Sequence, residues 1–212
     1  MELSNSRLTI PSHDIEDWNN TQISLFAGRG LLVESLAGPL WLVGTGAEHH
    51  VLYQFQFVNA ENVFLTQGQS ETPYYQPNPP APYPFTAVNA ALHDPDFAAD
   101  CAKVNGHTIG GTNETAPCEM AWGLRVINSH NIKAFGAGHY SFFNNYSTVC
   151  SAQGNGEVCQ ARIVSVEAGA NVEIYNLDTI GSVSMVTREG VDVAVFKDNV
   201  AGFADTAALF KY

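Results

Sequence analysis

Two glutamates stand in similar settings 23 residues apart, Glu48 in Gly-Ala-Glu-His and Glu71 in Gln-Ser-Glu-Thr. A pair of carboxylates can supply the general acid–base chemistry that cleaves a glycosidic bond. One coil of a parallel β-helix takes about two dozen residues, so this interval predicts that the two side chains stack on neighbouring coils. Nearby aromatic residues offer rings for sugar stacking: Trp41, Tyr53, Tyr74 and Tyr75. The alternative is that both carboxylates merely mark turns of a repeating fold.

The two carboxylates differ in their neighbours. Glycoside hydrolysis needs one carboxyl group that is protonated at the working pH, and an apolar setting achieves this by raising the pKa. Glu71 precedes Thr-Pro-Tyr-Tyr at the start of a proline-rich stretch, which predicts that setting. Glu48 precedes His49, and this more polar setting suits an ionised group that orients water. Tyr74 and Tyr75 are equally compatible with ordinary loop packing.

Other catalytic signatures are missing from the sequence. It has no Gly-x-Ser-x-Gly elbow, complete GxGxxG, P-loop or HExxH. His49 and His50 are adjacent, and neighbours on a strand point to opposite faces. We therefore predict neither a metal site nor a cofactor.

The composition limits the class of partner. Among 212 residues, 45% are hydrophobic and 14% charged, which favours one folded core, and the net charge is −12. Nucleic acid is an improbable partner for so acidic a chain, because phosphate binding needs a basic surface. A neutral glucan is not repelled, whereas a polyuronate would be. No apolar run is long enough to cross a membrane, so no membrane partner is predicted.

Short segments rich in Val and Ile predict an all-β fold. Residues 21–26 and 31–35 are predicted to be extended, and apolar and polar residues alternate over 51–57. Prolines concentrated in 73–84 exclude an interior strand there. We predict a linker or the remnant of a preceding domain at 1–20. A C-terminal parallel β-helix domain is predicted at 21–212, with loop insertions at about 73–121.

An internal repeat supports a β-solenoid. Residues 58–63 match residues 127–132 at an offset of 69 residues, which is three times 23. Asparagines precede the apolar part of each copy, and stacked asparagines suit a turn because Asn tolerates left-handed backbone. With no amphipathic helix evident, a solenoid is favoured over a sandwich or a barrel.

The four cysteines form two pairs that are close in sequence. Three connectivities are possible. We favour Cys101–Cys118 and Cys150–Cys159, because each disulfide would close one local loop.

Three N-glycosylation sequons begin at Asn19, Asn113 and Asn145. Together with the cysteines they predict a secreted, extracellular protein. The first residues lack the basic start and apolar run of a signal peptide. We therefore expect this chain to be the C-terminal part of a longer protein.

Residues 21–212 resemble the C-terminal β-helix half of fungal glycoside hydrolase family 55, the exo-β-1,3-glucanases of the pectate-lyase-like superfamily. The resemblance rests on four segments: 30–35 (GLLVES), 41–49 (WLVGTGAEH), 71–77 (ETPYYQP) and 138–143 (GHYSFF). It implies a right-handed parallel β-helix that faces a second, N-terminal β-helix across a cleft. It also implies release of glucose, with inversion, from the non-reducing end of β-1,3-glucan.

The resemblance implies a role for several residues. The general acid falls on Glu71, and a glutamate that acts on the nucleophilic water falls on Glu48. Tyr74 would line the sugar site, and Asp14 or Asp17 would lie nearby. Tyr75 and Trp41 complete the expected substrate-binding set.

Two other functions compete with an inverting exo-β-1,3-glucanase. A glucan-binding or structural β-solenoid would bind sugar through the aromatic residues without cleaving it. A pectate-lyase-like enzyme is disfavoured, because the sequence shows neither an Asp cluster for calcium nor a basic catalytic patch.

Overall fold

A computed structural model describes residues 2–102, 116–152 and 157–200. These residues form an almost entirely β structure of thirteen strands in two sheets, with one short α-helix, α1 (Phe97–Cys101), and three single-turn 3₁₀ helices. The strands are β1 (Glu2–Ser4), β2 (Arg7–Thr9), β3 (Arg29–Val33), β4 (Leu40–Val43), β5 (Gly46–Glu48), β6 (Tyr53–Val58), β7 (Glu61–Glu71), β8 (Trp122–Ile127), β9 (His130–Tyr140), β10 (Gln160–Glu167), β11 (Val172–Ile180), β12 (Ser182–Arg188) and β13 (Val191–Val195).

From β3 to β12 the chain passes back and forth between the two sheets, with β4 and β5 as consecutive strands of the first. The first sheet contains β1, β2, β4, β5, β7, β9 and β11, and the second contains β3, β6, β8, β10, β12 and β13. Each strand pairs in parallel with the strand of the preceding circuit; only β13 runs antiparallel, beside β12. The long strand β7 pairs with β4 along its first half and with β5 along its second. Equivalent residues of successive circuits therefore lie side by side.

The core fills the space between the sheets. One cluster joins buried side chains from both sheets, including Leu42, Leu65 and Ile132 from the first and Phe55 and Ile163 from the second. Because side chains alternate across a strand, the residues between these core positions in the first sheet point outward. The outward face of the first sheet carries both glutamates.

Strand β6 is buried on both faces. The alternation in 51–57 predicts one apolar and one polar face, yet Gln54 and Gln56 on the polar face are fully buried. The reason is the chain between β7 and β8, residues 72–121, which we call the inserted segment. Its described residues contain no strand and fold back over β6. The Gln56 amide donates to the main-chain oxygen of His93 at 3.0 Å, and Arg125 donates to Gln56 at 2.6 Å.

The two copies of the internal repeat lie on adjacent strands, not three circuits apart. Val58 pairs with Ile127 in the second sheet. Asn128 donates to Asn59 at 2.7 Å, and this contact confirms the stacked asparagines. The offset of 69 residues thus spans one circuit lengthened by the inserted segment, so its agreement with three times 23 is coincidental.

Near the N-terminus, β3 (Arg29–Val33) covers residues 31–33 of the predicted extended segment 31–35, whereas residues 21–26 contain only an isolated bridge from Gln22 to His13. Within the segment 1–20, β1 and β2 extend the first sheet by pairing with β4 and β5. The domain boundary at residue 20 stays a prediction.

Both predicted disulfides are confirmed, Cys101–Cys118 and Cys150–Cys159. The sequon residues Asn19 and Asn145 are exposed, and Asn113 lies outside the described residues. No helix in the described part of the chain is long and apolar enough to cross a membrane.

His139 is expected to make the fold sensitive to acid. It is fully buried between the sheets, with Nδ1 2.8 Å from the Ser70 hydroxyl, and burial lowers its pKa to about 4. An unfolded histidine titrates near pH 6.5, so below that pH the unfolded chain binds a proton that the native chain does not. Stability should therefore fall as the pH drops from about 6.5 to about 4, by up to about 1.4 kcal/mol per pH unit.

Urea denaturation at several pH values tests this expectation. His139→Gln should lower stability at neutral pH but remove the His139 contribution to the pH slope. His130→Gln, at an exposed position, should keep that slope. An identical slope in the wild type and His139→Gln would contradict it.

Candidate functional site

Glu48 and Glu71 are direct partners on adjacent parallel strands, β5 and β7, as their spacing predicts. The preceding residues, Ala47 and Ser70, are fully buried beneath them. The two glutamates therefore point to the outward face of the first sheet. Adjacent strands lie only about 4.8 Å apart, whereas the carboxyl groups of an inverting glycosidase lie about 6.5–9.5 Å apart.

The partners of Glu48 lie on the side away from Glu71. Arg7 on β2 donates to both Glu48 carboxylate oxygens at 2.6 Å, and the Thr9 hydroxyl donates at 3.3 Å. Glu48 itself is only 2% exposed, and the hydrogen bond and charge of Glu48 raise the pKa of Arg7. The side-chain contacts of Glu48 are thus made toward β2.

The carboxylate of Glu71 accepts two side-chain hydrogen bonds and contacts one histidine. Tyr74 donates its hydroxyl to Oε2 at 3.1 Å, and Gln69 donates to Oε1 at 3.3 Å. His49 Nε2 lies 3.4 Å from Oε2. Burial acts to raise the pKa of Glu71, but the contacts with His49 and Tyr74 and the charge of Arg7 outweigh it and lower the pKa below its usual value. The expectation of a raised pKa for Glu71 is therefore wrong for the protein without bound sugar.

His49 connects Glu71 to the strand end beyond β2. Its backbone has a positive φ of 65°, which turns the chain as it leaves β5. Nδ1 lies 2.7 Å from the main-chain oxygen of Ile10, and only a protonated Nδ1 can donate to that oxygen. Nε2 is therefore the ring nitrogen left to face Glu71. His50 instead bonds to Gln54, so the two histidines serve different partners.

Tyr74 is the one predicted substrate-binding residue that contacts a glutamate. Its ring lies 3.8 Å from the Phe143 ring centroid and 4.5 Å from that of His49. Burial, followed by the neighbouring charge of Glu71, raises the Tyr74 pKa to about 12. Tyr74 therefore stays a hydrogen-bond donor to Glu71 at any physiological pH.

Three other aromatic residues from the sequence analysis do not reach the glutamates. Tyr75 is only 3% exposed and packs in an apolar cluster with Tyr53, beneath the inserted segment. Its burial excludes the predicted sugar stacking. Trp41 is 44% exposed but lies seven residues before Glu48, with its ring against Phe64 at 4.9 Å.

Asp14 and Asp17 belong to a loop beside the site. Asp14 accepts a hydrogen bond from the main chain of Glu16 at 3.0 Å. Asp17 accepts from the Thr21 hydroxyl, and this bond lowers the pKa of Asp17. Both carboxylates thus shape their own loop, which approaches the site through His13, 6.2 Å from the Tyr74 ring.

The structure adds Arg7, Thr9, His49, Gln69 and Phe143 to the site. Arg7 and Thr9 flank Leu8, and this short alternation was the available signal that residues 7–9 form a strand. A polar groove of about 260 Å³ begins at Glu48 and continues along the sheet. Its polar lining consists mainly of Asn5, Ser6, Arg7, Thr45, Gln67 and Gln69. No cluster of three or more His, Cys, Asp or Glu that could hold a metal ion occurs within the described residues.

The chain is similar to proteins named as glucan glucosidases. It is 38% identical over 208 residues to a "Probable glucan endo-1,3-beta-glucosidase" of Arthroderma benhamiae, an alignment that covers 98% of this chain and 22% of the relative. It is 36% identical over 203 residues to a "Glucan 1,3-beta-glucosidase" of Cochliobolus carbonum, covering 94% of this chain and 23% of the relative.

A third relative has a different name. The chain is 36% identical over 191 residues to a "Non-secreted LysM effector LysM15" of Penicillium expansum, covering 90% of this chain and 11% of the relative. No protein-family model matches the chain. The chain thus resembles glucan 1,3-β-glucosidases along nearly its whole length and spans about a fifth of theirs.

Proposed function

We propose that this chain carries the acid–base pair of an inverting exo-β-1,3-glucanase of glycoside hydrolase family 55 and folds as a right-handed parallel β-helix. The pairing of Glu48 with Glu71 on one outward face carries the proposal. The similarity to glucan 1,3-β-glucosidases and the alternation of the chain between two parallel sheets support it. Because the chain spans about a fifth of those relatives, a preceding β-helix would supply the opposite wall of the cleft.

Glu71 is the proposed general acid. Its O–H would donate a proton to the glycosidic oxygen, so that the bond from that oxygen to the anomeric carbon breaks. Without sugar the pKa of Glu71 is low, yet burial is the largest single influence on it and acts upward. A sugar that covers Glu71 excludes more water and strengthens this influence. Substrate binding would thereby raise the pKa of Glu71 and favour its protonated form.

Glu48 is the proposed partner of the nucleophilic water. Arg7 holds Glu48 toward β2, and a water molecule would lie between Glu48 and the sugar. The water attacks the anomeric carbon from the face opposite the leaving oxygen and passes a proton to Glu48 as the new bond forms, and inversion follows.

His49 and Tyr74 are proposed positioning residues. The Tyr74 hydroxyl and His49 Nε2 both reach Oε2 of Glu71, which leaves Oε1 to face the sugar beside Gln69. The two disulfides and the exposed sequon residues Asn19 and Asn145 support a secreted, extracellular protein.

A non-catalytic glucan-binding module is the second candidate. The lowered pKa of Glu71 favours it, because an ionised Glu71 cannot act as an acid. A chain of this kind would retain glucan without releasing any product.

Chromatography of the products from laminarin, a soluble β-1,3-glucan, tests the proposal. The proposed exo action predicts that glucose is the only early product from the purified chain. A ladder of oligosaccharides would indicate the endo action that the name of the Arthroderma relative suggests. Binding without any product would favour the non-catalytic module.

A further inference from the structure

A second binding surface lies on the outward face of the first sheet, away from the glutamates. Four aromatic side chains from successive circuits line up there, and we call them the aromatic ladder: Trp41, Phe64, Phe135 and Tyr175. Their ring centroids follow one another at 4.9, 5.4 and 4.7 Å. The ladder crosses β4, β7, β9 and β11.

The ladder is exposed although its rings are large and apolar. Its end members Trp41 and Tyr175 are 44% and 50% exposed, and Phe135 is 38% exposed. The residues beside them in the same strands, such as Leu42 and Ala134, are the ones that fill the core. A continuous apolar strip of this kind on a water-facing sheet indicates a binding surface.

Polar groups border the ladder in a form that suits a sugar. A shallow groove of about 520 Å³ runs beside Trp41 and Phe64 and is also lined by Asn62, Asn131 and Lys133. The Asn131 amide donates a hydrogen bond to the Asn62 amide oxygen at 2.7 Å, and this contact aligns the two side chains. Each amide has further donor and acceptor atoms that can bind a sugar hydroxyl. Rings flanked by fixed amides match the alternating C–H and O–H groups of a pyranose.

The charge near the ladder favours a neutral ligand. The Lys133 ammonium group beside the ladder lies 3.6 Å from the carboxylate of Glu173, so its positive charge is already paired. The whole chain has a net charge of −12 and would repel a polyanion.

The ladder and the glutamates lie along the same strands, on either side of a bend. Phe64 and Glu71 both lie on β7, and Gln67 between them has a positive φ of 48° that bends the strand. The polar groove beside Glu48 lies between them and includes Gln67 and Gln69. A linear polymer bound at the glutamates would pass along this groove, across the bend at Gln67, toward the ladder.

We infer that the aromatic ladder is an anchoring surface for a neutral β-1,3-glucan chain, separate from the proposed cleavage site. This inference rests on the proposed function for the identity of the glucan. The ladder binds the polymer while Glu48 and Glu71 hydrolyse the linkage at its end. A second copy of this chain is the rival occupant, because apolar strips also join identical subunits.

Retention on insoluble β-1,3-glucan particles tests the inference. Every protein carries Glu71→Gln, so that the polymer is not consumed. The parent should be retained, and the double variant Phe135→Ala/Tyr175→Ala should bind about tenfold or more weakly. The matched control is Val191→Ala/Val193→Ala, at two exposed positions on β13 in the second sheet, and it should bind like the parent. Circular dichroism checks that each variant is folded.

Three results would overturn the inference. They are equal retention of ladder and control variants, no retention of the folded parent, and a parent dimer that the ladder variant converts to monomers in sedimentation. Failure of the proposed function has a different signature, namely laminarin hydrolysis by the Glu71→Gln parent. The two failures are therefore separable.

Discussion

Glu71→Gln is expected to reduce the rate of β-1,3-glucan hydrolysis by a factor of about a thousand, within the range that general acid catalysis supplies. Gln has almost the shape of Glu but no proton to give to the leaving oxygen. It can still accept the hydrogen bond from Tyr74. The loss should therefore fall on the chemical step and leave the fold and the affinity for glucan nearly unchanged.

Glu61→Gln is the matched control, because Glu61 lies on the same strand at an exposed position. Initial rates on laminarin and the thermal unfolding midpoint should be measured for both variants. Wild-type rates in Glu71→Gln would remove Glu71 from the acid role. An equal loss in Glu61→Gln would mean that the effect is not specific to the site.

Arg125→Ala is expected to lower the free energy of unfolding by about 3 kcal/mol, the lower end of the loss when one partner is removed from a buried ion pair, because Glu167 is partly exposed. Arg125 is 5% exposed and donates to both carboxylate oxygens of Glu167, at 3.1 and 3.0 Å. It also donates to Gln56 and to the main-chain oxygen of His93. Its loss leaves the buried amide oxygen of Gln56 without this donor and loosens the inserted segment over β6.

Two comparisons sharpen this expectation. Arg125→Lys should recover only part of the stability, because an ammonium group cannot reproduce the planar fork of donors. Arg188→Ala, at an exposed position, should change stability by less than about 0.5 kcal/mol. Urea denaturation of the three variants measures both effects, and an Arg125→Ala variant as stable as the Arg188→Ala variant would contradict the account.

The stacking of the glutamates could be predicted from sequence because spacing alone governs it. Glu48 and Glu71 are separated by one circuit that contains no insertion, so the interval of 23 residues translates directly into neighbouring strands. The repeat offset of 69 could not be interpreted in the same way. It contains the inserted segment, whose length says nothing about the number of circuits.

The electrostatics of the site could not be predicted, because they depend on contacts across circuits. Arg7 reaches Glu48 from a segment predicted to be a linker, and His49 reaches Glu71 through a turn with positive φ. Local apolar neighbours suggested a raised pKa for Glu71, but these two residues and Tyr74 lower it.

The exposure of the aromatic residues could not be predicted from the sequence either. Tyr74 and Tyr75 are adjacent in sequence, yet the first contacts Glu71 and the second packs beneath the inserted segment. Alternation over 51–57 identified strand β6 but not the burial of its polar face, because the covering segment follows much later in the chain.

Proton NMR of laminarin during the first minutes of incubation with this chain tests the central claim most directly. The account predicts that α-glucose appears first, since inversion at a β-linkage gives the α-anomer, and that the signal vanishes in Glu71→Gln. First release of β-glucose, or no glucose from a chain that circular dichroism shows to be folded, would contradict the claim that this chain carries an inverting site.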